Sequence, residues 1–406
     1  MRKLNALLRY CLLASALLPW NATAIDTSDL GKFAAYGKFG ANYTEGLLVK
    51  SLIDVTQGHV QEALDTIDQL LKTTPNFKLA HLVRGDLLMA RAQELQSFGD
   101  ARSSSPEAIN DLRDEARKRI ERYLSERTAS SVPEPLWQMD ASQKHAIVVD
   151  TSNSRLYVYR NENGHPQYVA DYYVTVGKNG SEKQTEGDKR TPVGVYVAGS
   201  KLTRKLPDFY GDAAYPLNYP NEWDRKQGRK GHGIWLHGTP SDTYSRPPRA
   251  SDGCVVIANP DLKSLSAILQ NGNTPVIITN HLQWLDHEQP SANRQALAAA
   301  LEDWRKDWES QDSERYLAHY ADHFFTRTTD LAGWAKEKRR IQASKMDVEI
   351  RLSNISMFRY PANDTAMAVV TFDQDYKSNH LDSRMRKRQY WIQEDNRWKI
   401  LYEGSV

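Results

Sequence analysis

Cysteine is nearly absent from this chain: two in 406 residues, Cys11 and Cys254. Cys11 lies in an N-terminal stretch that reads as removable. The mature chain would keep one thiol, which excludes a framework of internal disulfides. That thiol is an inert buried residue, half of an intermolecular bridge, or a nucleophile. An excess of one charge is also lacking. Lys and Arg number 53, Asp and Glu 51, for a formal net charge of +2. Such a balance argues neither for nucleic acid nor for a highly acidic partner, and no nucleic-acid partner is expected. Two short basic clusters, Lys336 to Arg340 and Arg384 to Arg388, read as solvated faces, with contact to an anionic wall polymer as the alternative. Long apolar runs are missing too. The one near-exception, Cys11 to Trp20, is too short to span a bilayer comfortably. It follows Arg2, Lys3 and Arg9 and precedes Ala22-Thr23-Ala24, the plan of a signal peptide over residues 1–24. Tyr10 stands where a lipidated cysteine would want a small residue. The expected product is periplasmic and not membrane-spanning after cleavage.

What is present divides into three regions, so the expected fold class is multidomain. Residues 25–128 read as an all-α module. Leu48, Leu52 and Val55 recur at helical spacing up to Gly58. Ala63, Ile67, Leu70 and Leu71 form a second stripe ending near Pro75, and Leu79 to Leu87 a third. Ser105-Pro106 opens a fourth helix, a capping hydroxyl before a proline at the first helical position. The stripes are either intramolecular core or a surface for a partner or a second copy. Ala129 to Pro135 reads as a linker. Residues 140–282 change period to strands: Ile147-Val148-Val149, Leu156 to Tyr159, Tyr172 to Val176, Val193 to Val197, Val255 to Ile257 and Val276 to Thr279. Residues 290–406 read as helices first (Leu297, Leu301, Trp304 and Trp308 on one face, with Tyr316, Tyr320 and Phe324-Phe325 continuing them). Strands follow at Met367 to Phe372, Gln389 to Gln393 and Trp398 to Tyr402, an α+β plan.

The chemistry gathers around Cys254. A free thiol is mostly protonated near neutral pH, so a nucleophile needs a base and donors for the oxyanion. His237 stands seventeen positions earlier, far enough for a loop to bring imidazole toward sulfur. The Gly238 carbonyl is placed to fix its tautomer, the work an aspartate does in other triads. Gly253 permits a tight turn, with the N–H groups of Gly253 and Cys254 as oxyanion donors. Ser251, Thr239, Arg249 and Tyr219 are candidate substrate contacts, the last within the rigid Tyr215 to Pro220 string. Asp252 is expected to point away from sulfur, paired with a cation such as Arg246 or Arg249. His232 and His237 have no carboxylate or cysteine at ligand spacing, so no metal is assigned and no cofactor is called for.

His237-Gly238-Thr239, followed after a loop by Ser251-x-Gly253-Cys254, resembles the L,D-transpeptidase catalytic domain of the YkuD type. Ile147 to Asp150, Leu156 to Tyr159, Val176-Gly177-Lys178 and Thr191 to Gly194 stand in that family's order. The resemblance implies that Cys254 attacks after the L-centre of the diamino acid in a peptidoglycan stem tetrapeptide. D-alanine would leave, and an amine would resolve the thioester. His237 would be the base and Gly238 its orienter. Asp252 and Val256 depart from the family, which commonly has histidine at the first and arginine or asparagine at the second.

Helices 47–87 resemble a tetratricopeptide repeat, and the last region is similar to nuclear-transport-factor-2-like (NTF2-like) domains. The three-part order is similar to periplasmic L,D-carboxypeptidases that set helical cell shape. It implies water as an alternative acceptor, trimming tetrapeptide to tripeptide, and a homodimer through the N-terminal module. A catalytically degenerate wall-binding protein is the remaining alternative, with a general cysteine peptidase fitting the paired motifs less well.

Overall fold

The computed structural model describes residues 43–93, 95, 97–99, 105–124, 131–286, 292–343, 347–361, 365–379 and 381–406. The expected signal peptide, Cys11 and the Pro290-Ser291 opening lie outside the described residues.

The helical stripes become α1 (Tyr43–Thr56), α2 (Val60–Thr73), α3 (Lys78–Met89) and α4 (Pro106–Leu124). Gly58, at φ +79°, turns the chain between the first two, and Ser105 Oγ accepts the Ala108 N–H at 3.3 Å to cap the fourth. Leu48, Leu52, Ala63, Ile67, Leu70, Val83 and Ala116 meet in one core, and Tyr244 and Ala258 of the next domain enter the same core. The stripes therefore close on the protein itself. A dimer through this module would have to use other faces.

The central region is a nine-stranded sheet, ordered β6-β11-β3-β4-β5-β10-β8-β7 with β9 beside β5. Its strands are β3 (His145–Asp150), β4 (Arg155–Glu162), β5 (His165–Gly177), β6 (Gly194–Val197), β7 (Ala214–Pro216), β8 (Trp235–His237), β9 (Arg249–Ser251), β10 (Val255–Ile257) and β11 (Pro275–Thr279). The unbroken run Ile147-Val148-Val149 has a physical cause: both faces of β3 are covered. Ile147 and Val149 face the catalytic-domain core with Leu156, Leu236 and Val255. Ala146 and Val148 face a second core shared with Tyr360, Tyr390 and Tyr402 of the C-terminal domain.

That last domain is a six-stranded sheet with α7 (Ala292–Glu309), α8 (Ser313–Leu317) and α9 (Leu331–Gln342) against it. Trp304, Trp391, Trp398 and Phe372 fill the layer between. Two differences from the sequence reading stand out. Tyr320–Phe325, read as helical from the Tyr316–Tyr320 spacing, is a strand parallel to the C-terminal one. The chain alternates there: Phe324 enters the tryptophan core and Phe325 packs on the interdomain one. Part of the expected linker is also paired. Ser131–Pro133 (β1) lies antiparallel to Trp284–Asp286 (β12). Leu136–Gln138 (β2) joins the edge of the C-terminal sheet beside Val348–Arg359 (β14).

Candidate active site

Strands β8 and β10 are parallel neighbours, with Val255 opposite Leu236 and Val256 opposite His237. Side chains alternate along a strand, so Leu236, Val255 and Ile257 enter the core while His237 and Cys254 share the other face. They sit two rungs apart, a Cα separation of roughly 8 Å from strand spacing alone.

His237 is buried, and its Nδ1 lies 2.7 Å from the Gly238 carbonyl. A carbonyl only accepts, so Nδ1 carries the proton and Nε2 is left as the basic nitrogen. Burial lowers the imidazole pKa to about 4, with Arg246 adding to the fall and the Gly238 and Tyr210 carbonyls opposing it. Tyr210 and Phe209 ring the imidazole at 5.1 and 6.1 Å between centroids. Cys254 Sγ accepts the Trp235 N–H and donates to the Gly233 carbonyl, each at 3.4 Å. Burial pushes the thiol up to about 11. Asp252 raises it further, while the Trp235 N–H, Arg246 and Lys183 pull it down. The resting pair is a neutral thiol and a neutral imidazole.

The turn before the sulfur is tied from several sides. Ser251 Oγ donates to the Cys254 carbonyl at 2.6 Å and accepts the Gly253 N–H at 3.2 Å. One of the two expected oxyanion donors is therefore engaged inside the turn. Gly253 has φ +122°, and a Cβ there would stand 2.7 Å from the Arg190 carbonyl oxygen. Thr191 links this turn to β5: its hydroxyl donates to the Gly253 carbonyl and accepts the Gly177 N–H. Asp252 is exposed, and its ion pair is with Lys178 at 3.4 Å rather than with either arginine.

Thr239 is buried and donates to the Tyr244 carbonyl, and Arg249 is exposed on β9. Tyr219 corrects the sequence reading. It is 6% exposed, packs on Tyr196 and donates to the Lys230 carbonyl, leaving no surface for a ligand. His232 is solvent-exposed near Glu186, remote in character from buried His237. Among the described residues, no group of three or more His, Cys, Asp or Glu is placed to hold a metal ion.

Sequence reasoning missed Asn259, the first residue of α6 (Asn259–Ser266). Its Nδ2 donates to the Thr239 carbonyl at 2.9 Å and its Oδ1 accepts the Asp212 N–H at 3.1 Å. It thus pins the turn after the histidine. A Cβ on Gly238 would stand 2.0 Å from that Oδ1. Gly238→Ala is expected to cost about 2–3 kcal/mol in denaturant unfolding. Adding Asn259→Ala should return part of the loss, and equal loss in single and double variants would remove the steric explanation.

The helical module braces the loop between base and nucleophile. Tyr244 donates its N–H to the Asn76 carbonyl, and Asn76 Nδ2 donates to the Ser241 carbonyl. Phe77 packs on Tyr244 at 4.6 Å between centroids, and Ser245 Oγ donates to Glu115 at 2.6 Å.

The histidine-glycine and serine-x-glycine-cysteine turns thus stand on one sheet face. Residues 144–278 match the model of the L,D-transpeptidase catalytic domain, and residues 296–404 that of the Cds6 C-terminal NTF2-like domain. The central and C-terminal domains are of these two families. Among solved structures, Bd1075 of Bdellovibrio bacteriovorus is 28% identical, with a TM-score of 0.60 over 68% of this chain and 98% of that one. The helical cell shape determining protein Pgp2 of Campylobacter jejuni is 27% identical, with a TM-score of 0.57 over 67% of this chain and 95% of that one. No curated protein matches. Among the described residues, no helix is long and apolar enough to cross a membrane.

Proposed function

We propose that this chain is an exported cysteine enzyme that trims peptidoglycan stem tetrapeptide to tripeptide, with water as the final acceptor. The observation that carries the reading is the placement of buried His237 and half-buried Cys254 on one face of adjacent strands, with Nδ1 committed to the Gly238 carbonyl. The L,D-transpeptidase family of the domain supports peptidoglycan as substrate. Likeness to a protein that determines helical cell shape favours hydrolysis over crosslinking.

In this reading His237 Nε2 takes the thiol proton as sulfur attacks the carbonyl carbon of the diamino acid. The same proton passes to the departing nitrogen, and D-alanine leaves with a neutral amine. Water then attacks the thioester while His237 takes one of its protons. Sulfur recovers that proton, and a tripeptide carboxyl group forms. Burial raises the thiol and lowers the imidazole, which disfavours proton transfer before substrate arrives. Proton loss and attack therefore belong to one step.

Digestion of wall fragments followed by mass spectrometry tests the outcome. Tripeptide without new crosslinks is expected, and crosslinked dimers would turn the reading to transpeptidation. The neutral resting pair has its own test. Alkylation of Cys254 by iodoacetamide at pH 7.5 should be on the order of 10²-fold slower than that of a free thiol. The rate should climb through pH 10, whereas a plateau near pH 7 would mean a preformed thiolate.

A further inference from the structure

The loop joining His237 to Cys254 carries one side chain whose hydrogen bonding is incomplete. The Arg246 backbone is fixed: its carbonyl accepts the hydroxyls of Tyr173 and Thr175 at 3.0 and 2.9 Å. Its guanidinium lies over the Phe209 ring, 4.9 Å from the centroid, and Phe209 neighbours His237. Nη2 donates to the carbonyl of Ala250, four residues before the nucleophile. Nη1 is buried and has no hydrogen-bond partner among the described residues.

A buried guanidinium N–H without an acceptor is costly, and a carboxylate is the group that best completes it. Asp252 does not do so, because its carboxylate is exposed and paired with Lys178. The Arg246 charge reaches both reacting groups, disfavouring imidazolium at His237 and favouring thiolate at Cys254. Val256 stands where arginine or asparagine is common in the family, and here a cation reaches the thiol from the preceding loop.

We propose that Arg246 selects the substrate by receiving, at Nη1, the terminal carboxylate of the departing D-amino acid. This rests on the function proposed above. The carboxylate carbon lies two bonds beyond the nitrogen of the cleaved amide, so its oxygens reach about 4–5 Å from the attacked carbon. Only a stem that ends one residue past the scissile bond puts its charge at that distance. Arg246 makes the site one for chain ends. A stem extended by another residue, or amidated, loses the ion pair.

Two measurements test this, one by cleavage and one by binding. Wild-type protein is given a stem tetrapeptide ending in D-alanine and the same peptide amidated at its C terminus. The ratio of kcat/KM, acid over amide, should be roughly 10- to 100-fold. It should fall to about one in Arg246→Gln and recover partly in Arg246→Lys. A loop merely loosened by the substitution slows both peptides together and leaves the ratio intact, and that result overturns the proposal. In the second arm, Cys254→Ala protein is titrated with both peptides, with and without Arg246→Gln. If wild type cleaves neither peptide but the Cys254→Ala protein prefers the acid through Arg246, the function reading fails and the carboxylate site stands. Equal binding of acid and amide overturns the site.

Discussion

Cys254→Ala protein is expected to release no tripeptide from stem tetrapeptide. Turnover should fall by at least ~10³-fold, because alanine removes the thiol that would carry the acyl intermediate. Two alternatives survive the sequence but not this measurement. Product formed at the wild-type rate would make the thiol a bystander. Loss of activity caused by unfolding would show in the denaturation midpoint, which we expect to change little. Among the described residues Sγ makes two weak backbone hydrogen bonds, to Trp235 and Gly233, and Ser251 holds the turn through the Cys254 carbonyl, which alanine keeps. His237→Ala removes the base but leaves the thiol, so it separates the roles. Thioester trapping should still occur there at high pH, where the thiol ionises without help.

Arg119→Ala is expected to cost 3–5 kcal/mol of stability, the range for a broken buried ion pair. Arg119 is 2% exposed. Its guanidinium bonds Glu115 at 2.9 Å, lies 3.3 Å from Glu45, and covers the Tyr173 ring at 4.0 Å from its centroid. Removing it strands buried Glu115 between the helical module and β5, while Glu45 keeps Arg155 at 2.6 Å. Burial already raises Glu115 above the usual carboxylate range, and the variant would raise it further. A carboxyl with a raised folded-state pKa is penalised above that pKa and relieved below it. The deficit should therefore shrink as pH falls from 7 to 5. A deficit independent of pH would mean that lost packing on Tyr173 and Phe77, not stranded charge, is the cause. Adding Glu115→Gln to Arg119→Met should recover part of the loss at pH 7. Because Glu115 also holds Ser245, the single variant should lose activity along with stability.

The parts of this molecule that were legible in the sequence are those written in local periodicity or in a motif. The stripe Leu48, Leu52, Val55 and the Ser105-Pro106 start gave helices where helices stand, because burial against a neighbouring helix follows the 3.6-residue period. The histidine-glycine and serine-x-glycine-cysteine turns gave the geometry of the site because each residue has a local task. Polar links between distant segments were not legible. Asn259 reaching Thr239, Thr191 joining Gly177 to Gly253, and Glu115 holding Ser245 carry no periodic signal. Tyr219 shows the opposite failure. An aromatic among prolines reads equally well as cleft or core, and only the position of Tyr196 settles that it is core. The Lys178 partner of Asp252 was missed because sequence distance favoured the nearer arginines.

The short strand Leu136–Gln138 belongs to the sheet of the C-terminal domain although it precedes the catalytic domain. The chain thus visits the last domain, leaves to build the catalytic one, and returns. During synthesis these three residues must wait for an edge that is made some two hundred residues later. A single genetic crossover after residue 286 would import a foreign sheet with no matching strand upstream. The C-terminal sheet is therefore tied to a segment upstream of the catalytic domain, which supplies the edge strand it lacks.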